Sequence, residues 1–313
     1  MTNESPMETD LLIIGAGPAG YTASIYASRY KINHIVIGEL MGGQAGEAHK
    51  VCNFPGITEK SGIELMQMFS EHAKSLGAEF LTDKVIKIEK KEPGFSVETS
   101  RNGTISAKTI LLAIGTSHRK LGIERENEML GKGVSYCVTC DGAFFKDKVV
   151  AVVGGSDAAN SASVYLSQMA KKVYQIYRGE ELRGESTWVN DVLSNDKIEV
   201  IFNTNIVELG GKDQLEFIVL DREYNGSNKL AVDGLFIEIG SAPGKALINH
   251  LEIKTDPEGY IEITQEQRTS VEGIWAAGDV TTGSNKFRQI VTASAEGAVA
   301  ASDIFKYLKT KGN

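Results

Sequence analysis

The sequence of 313 residues predicts an α/β protein built from two similar three-layer domains, with the second domain inserted in the first. Two stretches carry this prediction. In each, an apolar strand runs into a glycine-rich turn that opens a helix, at residues 15–20 and again at residues 154–159. A later apolar strand ending in glycine closes each copy, at Gly115 and at Gly240. This order of strand, turn and helix is typical of Rossmann nucleotide-binding folds, so we expect two Rossmann-like domains.

The composition is that of an ordinary globular protein, with 42% hydrophobic and 24% charged residues. The net charge of −8 gives no reason to expect nucleic acid or an anionic membrane as a partner. Residues 1–10 lack the basic flank and apolar core of a signal peptide. No run approaches the roughly 20 apolar residues of a membrane-spanning helix. We therefore expect a cytoplasmic protein.

The first turn reads Gly15-Ala16-Gly17-Pro18-Ala19-Gly20 and has the GxGxxG spacing that places a pyrophosphate over a helix N-terminus. Residues 35–37 supply the next strand. Glu39 lies 24 positions after Gly15, where an acid can bind a ribose hydroxyl. Two loops, residues 41–44 and 53–56, combine small or turn residues with the amides Gln44 and Asn53, which can hydrogen-bond a flat ring.

Between the turns, residues 62–77 have the apolar periodicity of a helix. Residues 85–89, 95–99 and 104–108 alternate as a small antiparallel sheet, and residues 109–114 form a separate apolar strand.

In the second copy, residues 148–153 form the strand and a small-residue helix runs to Ala170. Its next strand, residues 173–177, is flanked by Arg178 and Arg183, and arginines there can hold a 2′-phosphate. The closing strand spans residues 234–240.

The tail returns to the first domain, with a strand at 273–279 that ends in Asp279 and a helix at 288–308. An acid at the carboxyl end of such a strand lies where open α/β sheets bind ligands. We expect one domain from residues 1–117 and 245–313, and the other from residues 118–244.

Cys137 and Cys140 lie on one face of a helical turn, with Asp141 directly after them, which is the arrangement of a redox disulfide. A zinc site would want four ligands, and a structural disulfide would suit a secreted protein, so catalytic redox use is the favoured interpretation. The remaining cysteine, Cys52, reads as an apolar filler.

These motifs resemble those of the low-molecular-weight thioredoxin reductases over nearly the whole chain. The matching stretches are residues 15–20, 42–44, 53–56, 133–142, 276–280 and 288–301. The resemblance implies FAD in the first domain, a nicotinamide nucleotide in the second, a homodimer, and reduction of thioredoxin or a similar redoxin. It also implies that Cys140 faces the flavin, that Cys137 attacks the partner disulfide, and that Asp141 protonates the leaving thiolate. The candidate FAD-binding residues are Gly15, Gly17, Pro18, Ala19, Glu39, Gly43, Gln44, Asn53, Val85, Asp279, Arg288, Gln289 and Ile290.

Departures from the family pattern concentrate in the nicotinamide site, where the candidate residues are Gly155, Ser156, Arg178 and Arg183. Ser156 replaces the second fingerprint glycine, and Gly179 replaces one of three phosphate-binding arginines. We therefore rank NADPH first as electron donor and NADH second, with a ferredoxin-type or other nicotinamide-independent donor as the alternative. A flavin dithiol oxidase that uses oxygen and a flavin-binding redox sensor are the other functions that these residues allow.

Overall fold

The computed structural model describes residues 7–244 and 247–311, and the chain divides into two compact units. The first unit takes the chain up to Ser117 and again from Ala242, and the second spans His118–Ser241. The domain boundary expected between residues 244 and 245 falls partly on residues 245 and 246, which lie outside the described residues. The cofactor roles given to the two domains stay predictions.

The first part of the chain, up to the start of the second unit, contains these strands and α-helices: β1 (Met7–Ile14), α1 (Pro18–Arg29), β2 (His34–Gly38), α2 (Gly62–Ser75), β3 (Glu79–Thr82), β4 (Val85–Lys90), β5 (Phe95–Thr99), β6 (Thr104–Leu112) and β7 (Thr116–His118). A capping box starts α2, because the Ser61 hydroxyl accepts the Glu64 N–H while the Glu64 carboxylate accepts the Ser61 N–H.

The next stretch of chain contains β8 (Val134–Ser135), α3 (Val138–Asp141), β9 (Val149–Val153), α4 (Asp157–Ser167), β10 (Lys172–Ile176), α5 (Ser186–Leu193), β11 (Ile198–Ile201), β12 (Ile206–Gly210), β13 (Phe217–Tyr224), β14 (Ser227–Ala231) and β15 (Gly234–Ile237). The chain then returns through β16 (Ser241–Pro243), β17 (Ile274–Ala276) and α6 (Ile290–Lys311). Strands β7 and β16 contain the two points where the chain passes from one unit to the other, and they pair with each other.

The first unit is built on a seven-stranded sheet in the order β3-β2-β1-β6-β5-β4, with β17 also paired to β6. Strands β3, β2, β1, β6 and β17 run parallel, and β5 and β4 extend the sheet antiparallel. Strand β1 is buried from Leu11 to Ile14 because helices and loops cover both faces of the sheet. Helix α6 packs on α1, where a Cβ on Gly297 would lie 2.2 Å from the carbonyl oxygen of Ala19.

Two details of the predicted first domain are wrong. The three segments expected to pair antiparallel do so, but β4 and β5 extend the parallel sheet instead of forming a small sheet of their own. The two strands expected at 104–108 and 109–114 are the single strand β6, which pairs with β1 from Ile105 to Leu112. No turn residue interrupts this stretch, so one strand serves both neighbours.

The second unit repeats the plan with a five-stranded parallel sheet in the order β11-β10-β9-β15-β8. A three-stranded antiparallel sheet, β12-β13-β14, precedes the last strand and was not predicted. Together the two sheets confirm the α/β fold class with two Rossmann-like units. Among the residues that the structure describes, no helix is long and apolar enough to cross a membrane.

Candidate active site

The three fingerprint glycines of the first turn have different surroundings. Gly15 has a φ of +116°, and a Cβ there would lie 2.1 Å from the carbonyl oxygen of Ala113. A Cβ on Gly20 would lie 1.9 Å from the carbonyl oxygen of Gly15. At Gly17, by contrast, the nearest atom to an added Cβ is the carbonyl oxygen of Gly42, 4.0 Å away. Gly15 and Gly20 are therefore needed to pack turn, strand and helix, while Gly17 leaves the N-terminus of α1 open to a ligand.

The loop after β2 lies beside this opening. The Gly42 N–H donates to the Ala16 carbonyl at 2.7 Å, and a Cβ on Gly43 would come within 3.4 Å of the Gly17 Cα. The Gln44 side chain accepts a hydrogen bond from the Thr116 hydroxyl at 3.3 Å. The structure thus brings Gly43 next to Gly17, and a pyrophosphate held over Gly17 would meet both backbones.

Glu39 follows β2 directly and is exposed, with its carboxylate 3.4 Å from the Lys84 ammonium. An exposed pair of this kind is worth little, so the carboxylate remains available to a ribose hydroxyl. Pro18 and Ala19 begin α1, and Val85 is the half-buried first residue of β4.

A second group of polar side chains follows β17. Burial raises the pKa of the Asp279 carboxyl to about 6, against the opposing effect of the Arg288 guanidinium. The Arg288 guanidinium lies 4.1 Å from the ring centroid of Tyr260, and its Nε is buried without a hydrogen-bond partner among the described residues. The Asn53 amide donates to the Gln289 side chain at 3.0 Å. An orphaned guanidinium nitrogen next to a buried carboxyl fits a large polar ligand in this unit.

Glu296 is a functional candidate that the sequence analysis missed. It is buried in α6, and its carboxylate accepts three hydrogen bonds: from the Gly278 N–H at 2.8 Å, from the Thr281 hydroxyl at 3.0 Å and from the Ser284 hydroxyl at 2.6 Å. These bonds fix the loop that carries Asp279. The signal available in the sequence was a single acid among the small residues at 293–301. Ile290, which was predicted to contact the flavin, is the first residue of the same helix.

In the second unit, a disulfide joins Cys137 and Cys140 across one helical turn, with a Cα–Cα distance of 5.3 Å. Cys137 caps the N-terminus of α3, and its sulfur accepts the Cys140 N–H at 3.2 Å. The buried Ser135 hydroxyl accepts the Cys137 N–H at 3.0 Å. Cys140 is exposed and Cys137 is half-buried. Backbone N–H donors at a sulfur favour its thiolate once the disulfide is opened.

Asp141 ends the short helix directly after Cys140 and is half-buried, and its N–H donates to the Cys137 carbonyl at 3.1 Å. A Cβ on Gly142 would come within 3.3 Å of the Tyr165 ring and 3.4 Å of Leu166. Glycine after the acid therefore lets the helical turn pack closely on α4. Cys52, in the first unit, is exposed rather than a buried filler, so that interpretation is wrong.

The second glycine turn is not open in the same way. Tyr177 is 7% exposed, and a Cβ on Gly155 would lie 2.4 Å from its ring. The Tyr177 hydroxyl accepts a hydrogen bond from Arg183 Nε at 2.7 Å, while the side chains of Arg178 and Ser156 are exposed. The structure thus brings Gly155 and Arg183 together, and both contact Tyr177.

Known proteins resemble this chain over most of its length. The family model for pyridine nucleotide-disulphide oxidoreductases matches residues 9–297. A thioredoxin reductase of Treponema pallidum (strain Nichols) is 40% identical over 312 residues, covering 98% of this chain and 100% of the relative. The crystal structure of Lactococcus lactis thioredoxin reductase (FR conformation) aligns with a TM-score of 0.91 at 33% identity, covering 96% and 99% of the two chains. A ferredoxin-flavin thioredoxin reductase from Clostridium acetobutylicum aligns with a TM-score of 0.54 at 31% identity, covering 97% and 99%.

The chain therefore belongs to the pyridine nucleotide-disulphide oxidoreductase family, in which a flavin and a disulfide pass electrons. Within that family its place is among the thioredoxin reductases, as the relatives at 37–40% identity show. The predicted family is confirmed. Membership implies the use of a flavin and a pyridine nucleotide, and the residues around Gly17 and Asp279 fit the first of these.

Proposed function

We propose that the chain is a thioredoxin-disulfide reductase that holds FAD in its first unit and reduces thioredoxin, or a similar redoxin, through Cys137 and Cys140. The observation that carries the proposal is the Cys137–Cys140 disulfide within one helical turn, followed directly by an acid. The relatives named thioredoxin reductase support the same substrate. FAD bound there and reduced by the electron donor would supply the two electrons that open this disulfide.

The FAD site that we propose consists of the open backbone at Gly17, the loop at Gly43 and Gln44, and the acid Glu39. Gly15, Pro18 and Ala19 shape the turn, and Val85 and Asn53 complete the set with the four residues after β17: Asp279, Arg288, Gln289 and Ile290. Support comes from the open Cβ position at Gly17 and from the Nε of Arg288, which has no hydrogen-bond partner within residues 7–244 and 247–311.

In the proposed exchange, the Cys137 thiolate attacks one sulfur of the redoxin disulfide. A mixed disulfide forms, and the other redoxin sulfur leaves as a thiolate that takes a proton from Asp141. The Asp141 carboxylate takes the proton of the Cys140 thiol, and the Cys140 thiolate attacks the Cys137 sulfur. This closes the Cys137–Cys140 disulfide, and the second redoxin sulfur leaves as a thiolate that takes the proton from Asp141. Two electrons pass from the cysteine pair to the redoxin. The Cys140 N–H that donates to the Cys137 sulfur favours the thiolate that starts the exchange.

The exchange predicts different behaviour for two cysteine variants. Cys140→Ser keeps the attacking sulfur and removes the resolving one, so the chemically reduced variant should form a covalent adduct with a redoxin whose active-site cysteine carries a thionitrobenzoate group. Mass spectrometry after digestion should place the adduct on Cys137. Cys137→Ser should form markedly less adduct, and Cys52→Ser should turn over like the unmodified enzyme. Turnover of Cys140→Ser with an intact redoxin would contradict the proposal.

Two kinds of molecule are candidates for the electron donor. NADPH, and after it NADH, is the donor that the sequence predicts, with Gly155, Ser156, Arg178 and Arg183 as its proposed contacts. The ring of Tyr177 against Gly155 favours instead a donor that does not need this turn, and the Clostridium acetobutylicum relative carries ferredoxin in its name. In that case two one-electron carriers would each be oxidised once, and their two electrons with two protons would convert the disulfide to two thiols. The mechanism above holds for either donor.

A homodimer and a cytoplasmic location are further proposals, which the family resemblance supports. Light scattering during gel filtration tests the first.

A further inference from the structure

The two glycine turns of this chain can be compared position by position. The Gly15 N–H donates to the Ile37 carbonyl at 2.7 Å, and the Gly154 N–H donates to the Ile176 carbonyl at 3.0 Å. These equivalent bonds align the turns, so that Gly155 corresponds to Ala16, Ser156 to Gly17, Asp157 to Pro18 and Tyr177 to Gly38. The open turn in the first unit therefore serves as an internal reference for the second.

The first difference is the size of the side chain at the position of Gly38 and Tyr177. In the first unit the residue at the end of the second strand is Gly38, the last residue of β2, and a Cβ there would already approach the Ala16 nitrogen to 3.0 Å. In the second unit the equivalent residue is Tyr177, whose buried ring takes the space that a Cβ on Gly155 would need, at 2.4 Å. The Tyr177 ring therefore lies against the counterpart of Ala16, whose methyl group faces Gly38 in the first unit.

The second difference is a segment of chain bound to the turn. The Arg183 N–H donates to the Gly155 carbonyl at 2.7 Å, and the Glu185 N–H donates to the Asp157 carboxylate at 2.6 Å. The Asn160 amide, on α4, donates to the Arg183 carbonyl at 2.8 Å. Residues 183–185 are thus attached at three points to the turn and the first turns of α4.

The third difference is charge. Asp157 is the first residue of α4, so its carboxylate already lies where the helix dipole attracts an anion. A dinucleotide pyrophosphate placed there would meet this carboxylate instead of the uncharged ring of Pro18. Arg183, one of the two arginines that could bind a 2′-phosphate, is bonded through its Nε to the Tyr177 hydroxyl at 2.7 Å.

We propose that residues 177–185 occupy the nucleotide position of the second turn, so that this chain binds neither NADPH nor NADH at residues 154–159. The inference rests on the proposed function and decides its electron donor. If a pyridine nucleotide does not bind at this turn, the flavin receives its electrons from a one-electron carrier of the ferredoxin type, which is the second donor considered above.

The holoenzyme itself provides the test. Under anaerobic conditions, NADPH and NADH at a large excess over the enzyme should leave the flavin absorbance unchanged, and calorimetry should detect no binding of NADP⁺ or NAD⁺. Dithionite should bleach the flavin, and oxidised thioredoxin should then restore the colour. Rapid bleaching by either nucleotide overturns the inference and leaves the proposed function standing. Failure of the dithionite-reduced enzyme to reduce thioredoxin overturns the proposed function and leaves the inference standing.

Two variants test the cause. Tyr177→Ala combined with Asp157→Asn removes the ring and the carboxylate, and should raise the affinity for NADP⁺ or NAD⁺ by about tenfold or more. Tyr177→Phe frees Arg183 from the hydroxyl but keeps the ring, and should show no such gain. Thermal unfolding and flavin content establish that each variant is folded. An equal gain in Tyr177→Phe, or none in the folded double variant, would show that the ring and carboxylate do not block the turn.

Discussion

Asp279 shows at the scale of one residue how burial acts on a charged group of the first unit. Its carboxyl follows β17 in a largely buried position, and burial raises its pKa from 3.8 to about 6. A carboxyl whose pKa is raised in the folded state stabilises the fold fully below its unfolded pKa, and that contribution is lost as the pH rises through the folded pKa. The flavin-free protein should therefore lose stability from this group between about pH 4 and about pH 6.

Asp279→Asn should remove that loss. As the pH rises from about 4 to about 7, the unmodified protein should lose up to about 3 kcal/mol of unfolding free energy relative to the variant. Urea unfolding of the flavin-free proteins at both pH values measures the difference. Asp191→Asn, which removes an exposed carboxylate in α5, is the matched control and should show no such gain. Parallel pH profiles for Asp279→Asn and the unmodified protein would mean that the Asp279 carboxyl is not destabilised by burial.

At the scale of elements, β1, the first turn and α1 meet at three glycines, of which two are needed for packing and the third, Gly17, faces open space. The distinction depends on what an added Cβ would meet: the Gly15 carbonyl at 1.9 Å for Gly20, and open space for Gly17. The φ of Gly17, −93°, suits any residue, so its glycine is not required by the backbone.

Gly17→Ala and Gly20→Ala should therefore fail in different ways. Gly20→Ala should lower the free energy of unfolding by about 1–3 kcal/mol, because the backbone clash outweighs the gain of about 1 kcal/mol in helix propensity. Gly17→Ala should change stability by less than about 1 kcal/mol but weaken FAD binding by about tenfold or more. Urea unfolding of the flavin-free proteins and flavin titration separate the two effects. Loss of stability without loss of flavin affinity in Gly17→Ala would remove Gly17 from the proposed site.

The sequence predicted the elements whose patterns are local. Continuous apolar residues indicated β1 and β2, and helical periodicity indicated α2, since these signals depend on neighbours in the chain. The pairing of β6 with strands on both sides is a long-range property, so the chain was wrongly divided there. The family pattern around Tyr177 showed a missing arginine, but not that a ring would lie against Gly155, because that position depends on a packed side chain. The three hydrogen bonds to Glu296 were hidden for the same reason.

At the scale of the whole molecule, the two units share a plan and differ in what their turns can accept. Each unit has a parallel sheet, a glycine turn and an equivalent hydrogen bond from the first glycine to the neighbouring strand. One turn is open over Gly17, while the other has the Tyr177 ring against Gly155 and residues 183–185 hydrogen-bonded to it. The two units thus share an architecture, while the residues at their glycine turns differ.

The central claim is that electrons leave the flavin through Cys137 and Cys140 to thioredoxin, whatever supplies them. The most direct measurement is anaerobic mixing of the dithionite-reduced holoenzyme, freed of excess reductant, with oxidised thioredoxin, followed by flavin absorbance and by counting thioredoxin thiols. The account predicts that the flavin reoxidises and that two new thioredoxin thiols appear for each pair of electrons lost, with both signals absent in Cys137→Ser. Thioredoxin reduction that proceeds unchanged in Cys137→Ser, or a reduced flavin that stays bleached in the unmodified enzyme, would contradict it.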